Sequence, residues 1–186
     1  MKSVFKPLAL AAALAFVAAP AAAQETVRWG IPMAFGSNLT ALGDTMPWVS
    51  EQLKKVSGGS INLQVFEPGK LVPALGIFDA VSSGKVEAGY SFMGYELGKV
   101  PVSAIFGALP FGMETPQFAA WIYFGGGDAL LKEAFKPHNV YPIFCGSISP
   151  EAAGWFRKEI KTPDDLKGLK LRAAALGGKI YQKLGA

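Results

Sequence analysis

One cysteine, Cys145, and one histidine, His138, stand in 186 residues. Those two scarcities exclude a good deal of chemistry. A lone thiol cannot form an intramolecular disulfide. With Ile143 and Phe144 before it, Cys145 reads as a buried thiol, the usual fate of a single cysteine. No HExxH, CxxC or EF-hand loop is present, so metal hydrolysis and redox chemistry lack their parts. A Ser-His-Asp relay needs a histidine beside its serine. His138, between Pro137 and Asn139, reads instead as a surface turn residue. The glycine-rich stretches are equally unproductive. Gly177-Gly178-Lys179 is followed by Ile180 and lacks the earlier glycine of a phosphate-binding loop. Gly146-Ser147-Ile148-Ser149-Pro150 ends in proline where a nucleophile elbow needs glycine. Charge is sparse too, at 17% of residues, with 18 basic against 14 acidic side chains. The basic residues are dispersed, without the stripe that a phosphate backbone selects, which argues against nucleic acid.

What is abundant sits first at the N-terminus. Lys2 and Lys6 precede an apolar run from Leu8 to Ala19, too short to span a bilayer comfortably. Pro20 breaks the run, and Ala21-Ala22-Ala23 satisfies the small-residue rule for leader cleavage. Residues 1–23 therefore read as a signal peptide, with a mature chain starting at Gln24. The competing reading is an uncleaved anchor. The formal net charge of +4 includes the two leader lysines, so the mature chain is closer to balance. No later segment makes a convincing membrane span.

Val27 to Ile31 reads as a strand, and Leu39 to Val56 as a helix with apolar residues three and four apart and Pro47 as a candidate kink. Ile61, Leu63 and Val65 alternate as a second strand. Ala74 to Ser83 reads as a helix and Val86 to Phe92 as a third strand. This β-α-β-α-β order implies a parallel sheet. Helices follow at Thr115–Phe124, with Pro116 in the first turn, and from Asp128 to about Phe135. Gly125-Gly126-Gly127 separates them. Asn139 to Cys145 reads as a strand, and the turn-rich Gly146–Pro150 junction as a domain boundary.

The densest signal is GWFRKEIKTPDDLKGLKLR, Gly154 to Arg172. Trp155 and Phe156 precede charges, as in a strand ending at a surface. Thr162-Pro163-Asp164-Asp165 is a helix start: a hydroxyl cap, proline at the first position, an acid three residues on. Gly168 stops that helix. Leu169 to Arg172 alternates as a strand and delivers an arginine to its end. Strand ends of α/β proteins are where ligands dock, and a guanidinium fork matches a carboxylate with two parallel hydrogen bonds. Pattern alone leaves this arginine open between a carboxylate clamp and a surface ion pair. Ala175 to Leu184 then reads as one helix. With no following strand, it completes only half a βαβ unit.

TPDDLKGLKLR followed by AAALGGKIYQKLGA resembles the solute-binding subunit of TRAP transporters, the tripartite ATP-independent periplasmic importers of organic acids. VSGGSINLQVFEPGKLVPALGIFDAVSSGKVEAGYSF and Leu109-Pro110-Phe111-Gly112 agree with it, and the match runs from about Val27 to Ala186. GWFRKEI is most similar to the branch that takes 2-oxo acids and related small carboxylates. The resemblance implies an α/β fold of periplasmic-binding-protein type II, with two lobes and mainly parallel sheets. Residues 24–146 would form the first lobe and 147–186 the start of a second, truncated one. It implies a non-enzymatic periplasmic receptor that passes a small organic acid to TRAP permease subunits, with no cofactor. The rivals are a receptor of an ATP-driven importer, disfavoured by motif order, and a secreted enzyme using Asp164 and Asp165. Those two acids are adjacent at a helix start and serve the cap and dipole more naturally than acid/base work.

For the site, the resemblance implies Arg172 as the carboxylate clamp. Glu151 lies four before Trp155, where the branch commonly has glutamine, sometimes with a bound cation. A carboxylate there points to stronger metal binding or a ligand with a donor group, unless Glu151 merely follows Pro150 in a solvated turn. Trp155 is open between core and pocket wall. Trp29, Phe35, Asn38 and Tyr95 lie at the carboxyl side of the predicted strands, where a crevice forms. The resemblance supports Tyr95 most, and local packing competes for the others.

Export through a Gram-negative inner membrane should leave Gln24 as the first residue, cyclised or not, by intact-mass spectrometry. A mature species that keeps Lys2 would identify the leader as an anchor.

Overall fold

The structure is a computed structural model that describes residues 26–107, 109–173 and 175–186. The leader and its cleavage site lie outside the described residues. Strand β1 (Val27–Pro32) and strand β2 (Ile61–Phe66) pair in parallel, from Val27 opposite Ile61 to Pro32 opposite Phe66. Helix α1 (Thr45–Val56) connects them, as a parallel pair requires. It docks through Met46, Val49 and a hydrogen bond from Ser50 Oγ to the Leu63 carbonyl at 2.6 Å. Lys54 and Lys55 occupy its last turn, opposite the negative end of the helix dipole. Gly59 at φ 88° then donates back to the Lys54 carbonyl at 2.8 Å.

The first helix starts later than its apolar spacing predicts. Residues 39–44 form turns, with Ala41 at φ 63° and the Gly43 N–H bonded to the Leu39 carbonyl at 2.7 Å. A side chain at Gly43 would lie 1.7 Å from the Gly36 carbonyl oxygen, so this loop closes only around glycine. Pro47 therefore falls in the first turn, where its missing N–H costs nothing, and produces no mid-helix kink.

The expected third strand, Val86 to Phe92, reduces to one bridge between Met33 and Tyr90. Tyr90 N–H donates to the Pro32 carbonyl and Ala34 N–H to the Tyr90 carbonyl, both at 2.9 Å. The direction is parallel, as predicted, but the chain is held against α2 (Ile77–Ser82) and diverges on either side. A Cβ on Gly89 would lie 2.4 Å from Ile77 Cγ2.

A second apolar cluster contains Phe78, Val100, Phe106, Ile122, Leu131 and Phe135. It joins α2 to two 3-10 helices, Met93–Gly98 and Pro101–Phe106, and to helices α3 (Thr115–Phe124) and α4 (Gly127–Phe135). Phe106 stacks on Trp121 at 5.4 Å, and Phe78 meets Phe135 edge-on at 5.9 Å. Gly126 at φ 86° turns α3 into α4. Helix α4 begins at Gly127, so Asp128 lies in its first turn and pairs with Lys132 at 2.5 Å. His138 is half-buried rather than a free surface residue. Its ring lies 5.6 Å from that of Phe78, and its carbonyl accepts from Ser82 Oγ at 2.7 Å.

Three further predicted strand segments are not formed among the described residues. Residues 139–145, 155–156 and 169–172 run without helix or sheet pairing. The alternation in 139–145 is real. Val140 and Phe144 pack on the larger cluster while Tyr141 and Ile143 point outward at 70% and 71% exposure. A ladder needs a neighbouring strand as well, and none lies alongside. Cys145, expected to be buried, is exposed for the same reason. Residues 163–166 form a 3-10 turn with the predicted cap. Asp165 Oδ2 accepts from the N–H groups of Thr162 at 2.8 Å and Lys161 at 3.0 Å. Helix α5 (Ala175–Lys183) closes the chain. Gly168 N–H ties to the Gly185 carbonyl at 2.7 Å, Thr115 Oγ1 donates to the Ile148 carbonyl at 3.0 Å, and the Tyr181 hydroxyl donates to the Ala153 carbonyl.

Phe135 has no exposed surface, and Phe135→Ala should destabilise by about 3–5 kcal/mol through transfer and cavity terms. Trp155 is 94% exposed, and Trp155→Ala should change stability by less than about 0.5 kcal/mol despite the larger side chain. Urea unfolding of both variants checks the contrast.

Candidate functional site

The end of β1 leads directly into the residues expected to form a site. The Tyr90 bridge fixes Met33 and Ala34, and Phe35 follows. Its ring meets Tyr90 edge-on and Tyr95 at a tilt, each at 6.3 Å, and Tyr95 meets Phe92 edge-on at 5.3 Å. Phe35 and Tyr95 are thus brought into one aromatic group. Asn38 is exposed on the same loop, with its amide oxygen 2.7 Å from where a Gly36 Cβ would lie. Trp29 is 42% exposed on β1, opposite Leu63, and stays outside that group.

A cleft of about 420 Å³ opens where the 3-10 helix Met93–Gly98 faces α5 and the residues just before it. Tyr95, Glu96 and Lys99 line one side, and Arg172 and Lys179 the other. The structure therefore places Arg172 and Tyr95 on the same opening, although 77 positions separate them in the chain. Arg172 lies in the irregular chain just before α5 and Lys179 within that helix, and both line the cleft. Neither forms an ion pair among the described residues. Lys99 is engaged: its Nζ lies 2.7 Å from Asp79 Oδ1, 3.9 Å from Glu96 Oε2, and 5.4 Å above the Phe78 ring.

Glu96 is the residue that the sequence did not single out. It is 5% exposed and has no hydrogen bond to its carboxyl among the described residues. Burial pushes its carboxyl above the ordinary value, Lys99 pulls it down, and Asp79 adds to the upward push. The only local signal was its position between Tyr95 and Lys99. Lys179 was visible only as part of a failed phosphate-loop motif.

The other two predicted residues lie elsewhere. Glu151 and Trp155 stand exposed on the irregular segment after Gly146, and neither lines the cleft. Trp155, open between core and pocket wall on sequence grounds, is in neither position among the described residues. Glu151 offers hard oxygen donors of the kind calcium and sodium favour. No group of three His, Cys, Asp or Glu residues able to hold a metal occurs among the described residues, so Glu151 alone does not make a cation site. The cleft sets a guanidinium and an ammonium group, neither ion-paired among the described residues, beside the ring of Tyr95. No serine, cysteine or histidine lines it.

Comparison with known proteins places the chain among solute-binding proteins. The model for "bacterial extracellular solute-binding protein, family 7" matches residues 35–186. A monocarboxylate 2-oxoacid-binding periplasmic protein of Nostoc is 38% identical over 160 residues, covering 86% of this chain and 43% of that one. A TRAP transporter solute-binding protein of Bordetella bronchiseptica, solved with calcium and picolinate, superposes with TM-score 0.83 at 33% identity. It covers 87% of this chain and 48% of its own. A TRAP periplasmic solute-binding protein of Colwellia psychrerythraea, solved with calcium and pyruvate, gives TM-score 0.83 at 34% identity, with 87% and 49% covered. The chain spans about half the length of these relatives. The α/β fold is theirs.

Glu96 should leave a trace in the pH dependence of stability. A carboxyl whose pKa rises on folding holds its proton more tightly when folded. Its contribution is complete below the ordinary value of 4.5 and is lost as pH climbs through the raised folded value. Glu96→Gln removes that titration. Urea midpoints measured from pH 4.5 to 7.5 should fall less steeply with pH in Glu96→Gln than in wild type.

Proposed function

We propose, from the premise that the chain belongs to the bacterial extracellular solute-binding protein family 7, that it serves as a periplasmic receptor for a small organic acid, a 2-oxo acid or related carboxylate, which it hands to a TRAP-type permease. The observation that carries this reading is the cleft shared by Arg172 and Tyr95, with the guanidinium unpaired among the described residues. Family members are solute-binding receptors. That this chain has no turnover of its own is part of the proposal, as is its periplasmic address, which rests on the leader and the family. No helix among the described residues is long and apolar enough to cross a membrane.

In this reading Arg172 binds the ligand carboxylate through two parallel charge-assisted hydrogen bonds. Tyr95 supplies an aromatic wall, kept in place by Phe35 and Phe92. The cleft volume of about 420 Å³ suits a small acid with room for a substituent. Residues 24–146 form one lobe, and the chain from residue 147 belongs to the other. Closure of the lobes would strip water from the arginine–carboxylate pair and strengthen it. Trp29, Asn38, Glu151 and Trp155 would approach the ligand only in that closed arrangement. Calcium accompanies the ligand in the two solved relatives, and Glu151 carries a fitting donor. One carboxylate is not a site, so no step is assigned to a cation here.

Calorimetric titration of protein expressed from its own reading frame to the stop codon tests this, against 2-oxo acids, hydroxy acids and C4-dicarboxylates. Arg172→Lys should weaken binding although the charge is kept, because an ammonium cannot form the two parallel bonds. Arg172→Ala should cost about 2–5 kcal/mol, roughly thirty-fold to several-thousand-fold in Kd. Melting temperature without ligand should barely change. Equal affinity in wild type and Arg172→Ala would remove Arg172 from the site.

A further inference from the structure

Glu96 is the one residue of the cleft whose state nothing above explains. Its side chain is 6% exposed, deeper than a glutamate goes without compensation. Buried acids are ordinarily paired and hydrogen-bonded. Here the nearest cation, Lys99 Nζ, is 3.9 Å away and is already taken by Asp79 at 2.7 Å. No hydrogen bond from any described residue reaches the carboxyl. The same residue lines the opening that Arg172 and Tyr95 share.

Resting on the receptor reading above, we propose that Glu96 is a ligand-binding residue: its carboxyl, in the neutral form, donates a hydrogen bond to the carbonyl oxygen next to the carboxylate that Arg172 takes. The cleft would then recognise two neighbouring groups of one acid, the carboxylate through a cation and the oxo group through a donor. A ligand with the carboxylate alone would leave Glu96 without a partner. That is the arrangement by which a buried polar group rejects an analogue lacking its complement.

The charged groups facing Glu96 support the neutral form once an acid is bound. Asp79, from α2, adds negative potential, and burial raises the carboxyl's proton affinity. Lys99, on the same turn, opposes this but is shared with Asp79. The segment Pro101–Phe106 contributes no ionisable group. Arg172 and Lys179 line the other side of the cleft. A bound carboxylate brings a like charge into the same cleft, which drives the proton on. Binding and protonation of Glu96 are therefore linked, and affinity should weaken as pH rises.

The probes are pyruvate and propionate, which differ by the 2-oxo group, titrated calorimetrically from pH 5.5 to 8.5 against wild type, Glu96→Gln and Glu96→Ala. Circular dichroism verifies that each variant is folded. Wild type should prefer pyruvate, with affinity falling as pH rises. Glu96→Ala should lose roughly tenfold or more for pyruvate at pH 5.5 and little for propionate, which erases the preference. Glu96→Gln keeps a donor but cannot titrate. It should stay within about threefold of wild type at pH 5.5 and show no decline above it. Pyruvate binding that is equal in wild type and Glu96→Ala overturns the inference and leaves Arg172 untouched. If Glu96→Ala fails to fold, a Glu96→Gln variant with the wild-type pH profile overturns it instead. Failure of wild type to bind either acid overturns the receptor reading and this inference together.

Discussion

Two backbone hydrogen bonds at Tyr90 hold the described fold in register with its cleft. They join the end of β1 to the chain that leads into the Met93–Gly98 turn. On one side of that junction lies the small cluster of Ile31, Met33 and Met46 under α1. On the other lies the aromatic cluster of Phe78, Phe106 and Phe135. A parallel bridge of this kind cannot be made by a tight hairpin and needs the whole intervening crossover to be placed first. Once it is made, Phe35 and Tyr95 have little freedom. Their rings are set by backbone positions on both sides of the same bridge and touch each other.

Charge distribution around the cleft follows from what is engaged and what is not. Lys99 is held by Asp79 and lies over the ring of Phe78, so its charge is tied to the scaffold. Arg172 and Lys179 have no such attachment among the described residues. Exposed ion pairs on helices α1 and α4 contribute little by comparison, being screened and costly in side-chain entropy. Two cations without an ion pair among the described residues thus line the cleft together with Tyr95.

Elements governed by local chemistry were legible in the sequence. Pro116 in the first turn and Gly125 after the last mark α3. The glycine run 125–127 and apolar spacing mark α4. The Thr162 and Asp165 cap stands where its motif places it. Elements that depend on distant partners were not. The alternation of Val140, Phe144, Tyr141 and Ile143 is genuine, but alternation reports a buried face and not a hydrogen-bonded neighbour. Leu39 and Leu42 carry helical spacing, yet the tight contact of Gly43 on Gly36 imposes a turn there. The meeting of Arg172 with Tyr95 is a long-range event that no spacing rule announces. Glu96 carries no local mark of burial, and only the folded arrangement removes it from water.

The contacts of Thr115 with Ile148 and of Tyr181 with Ala153 also limit how far the helices they belong to can separate. Ile148 and Ala153 are five residues apart, and an extended chain spans about 3.3–3.6 Å per residue, so that stretch reaches roughly 17 Å at full extension. While both contacts hold, it acts as a leash between the first turn of α3 and the last turns of α5. Any swing of α5 away from the cleft has a geometric ceiling set by chain length rather than by an energy barrier, and a longer excursion must first break one of two side-chain hydrogen bonds.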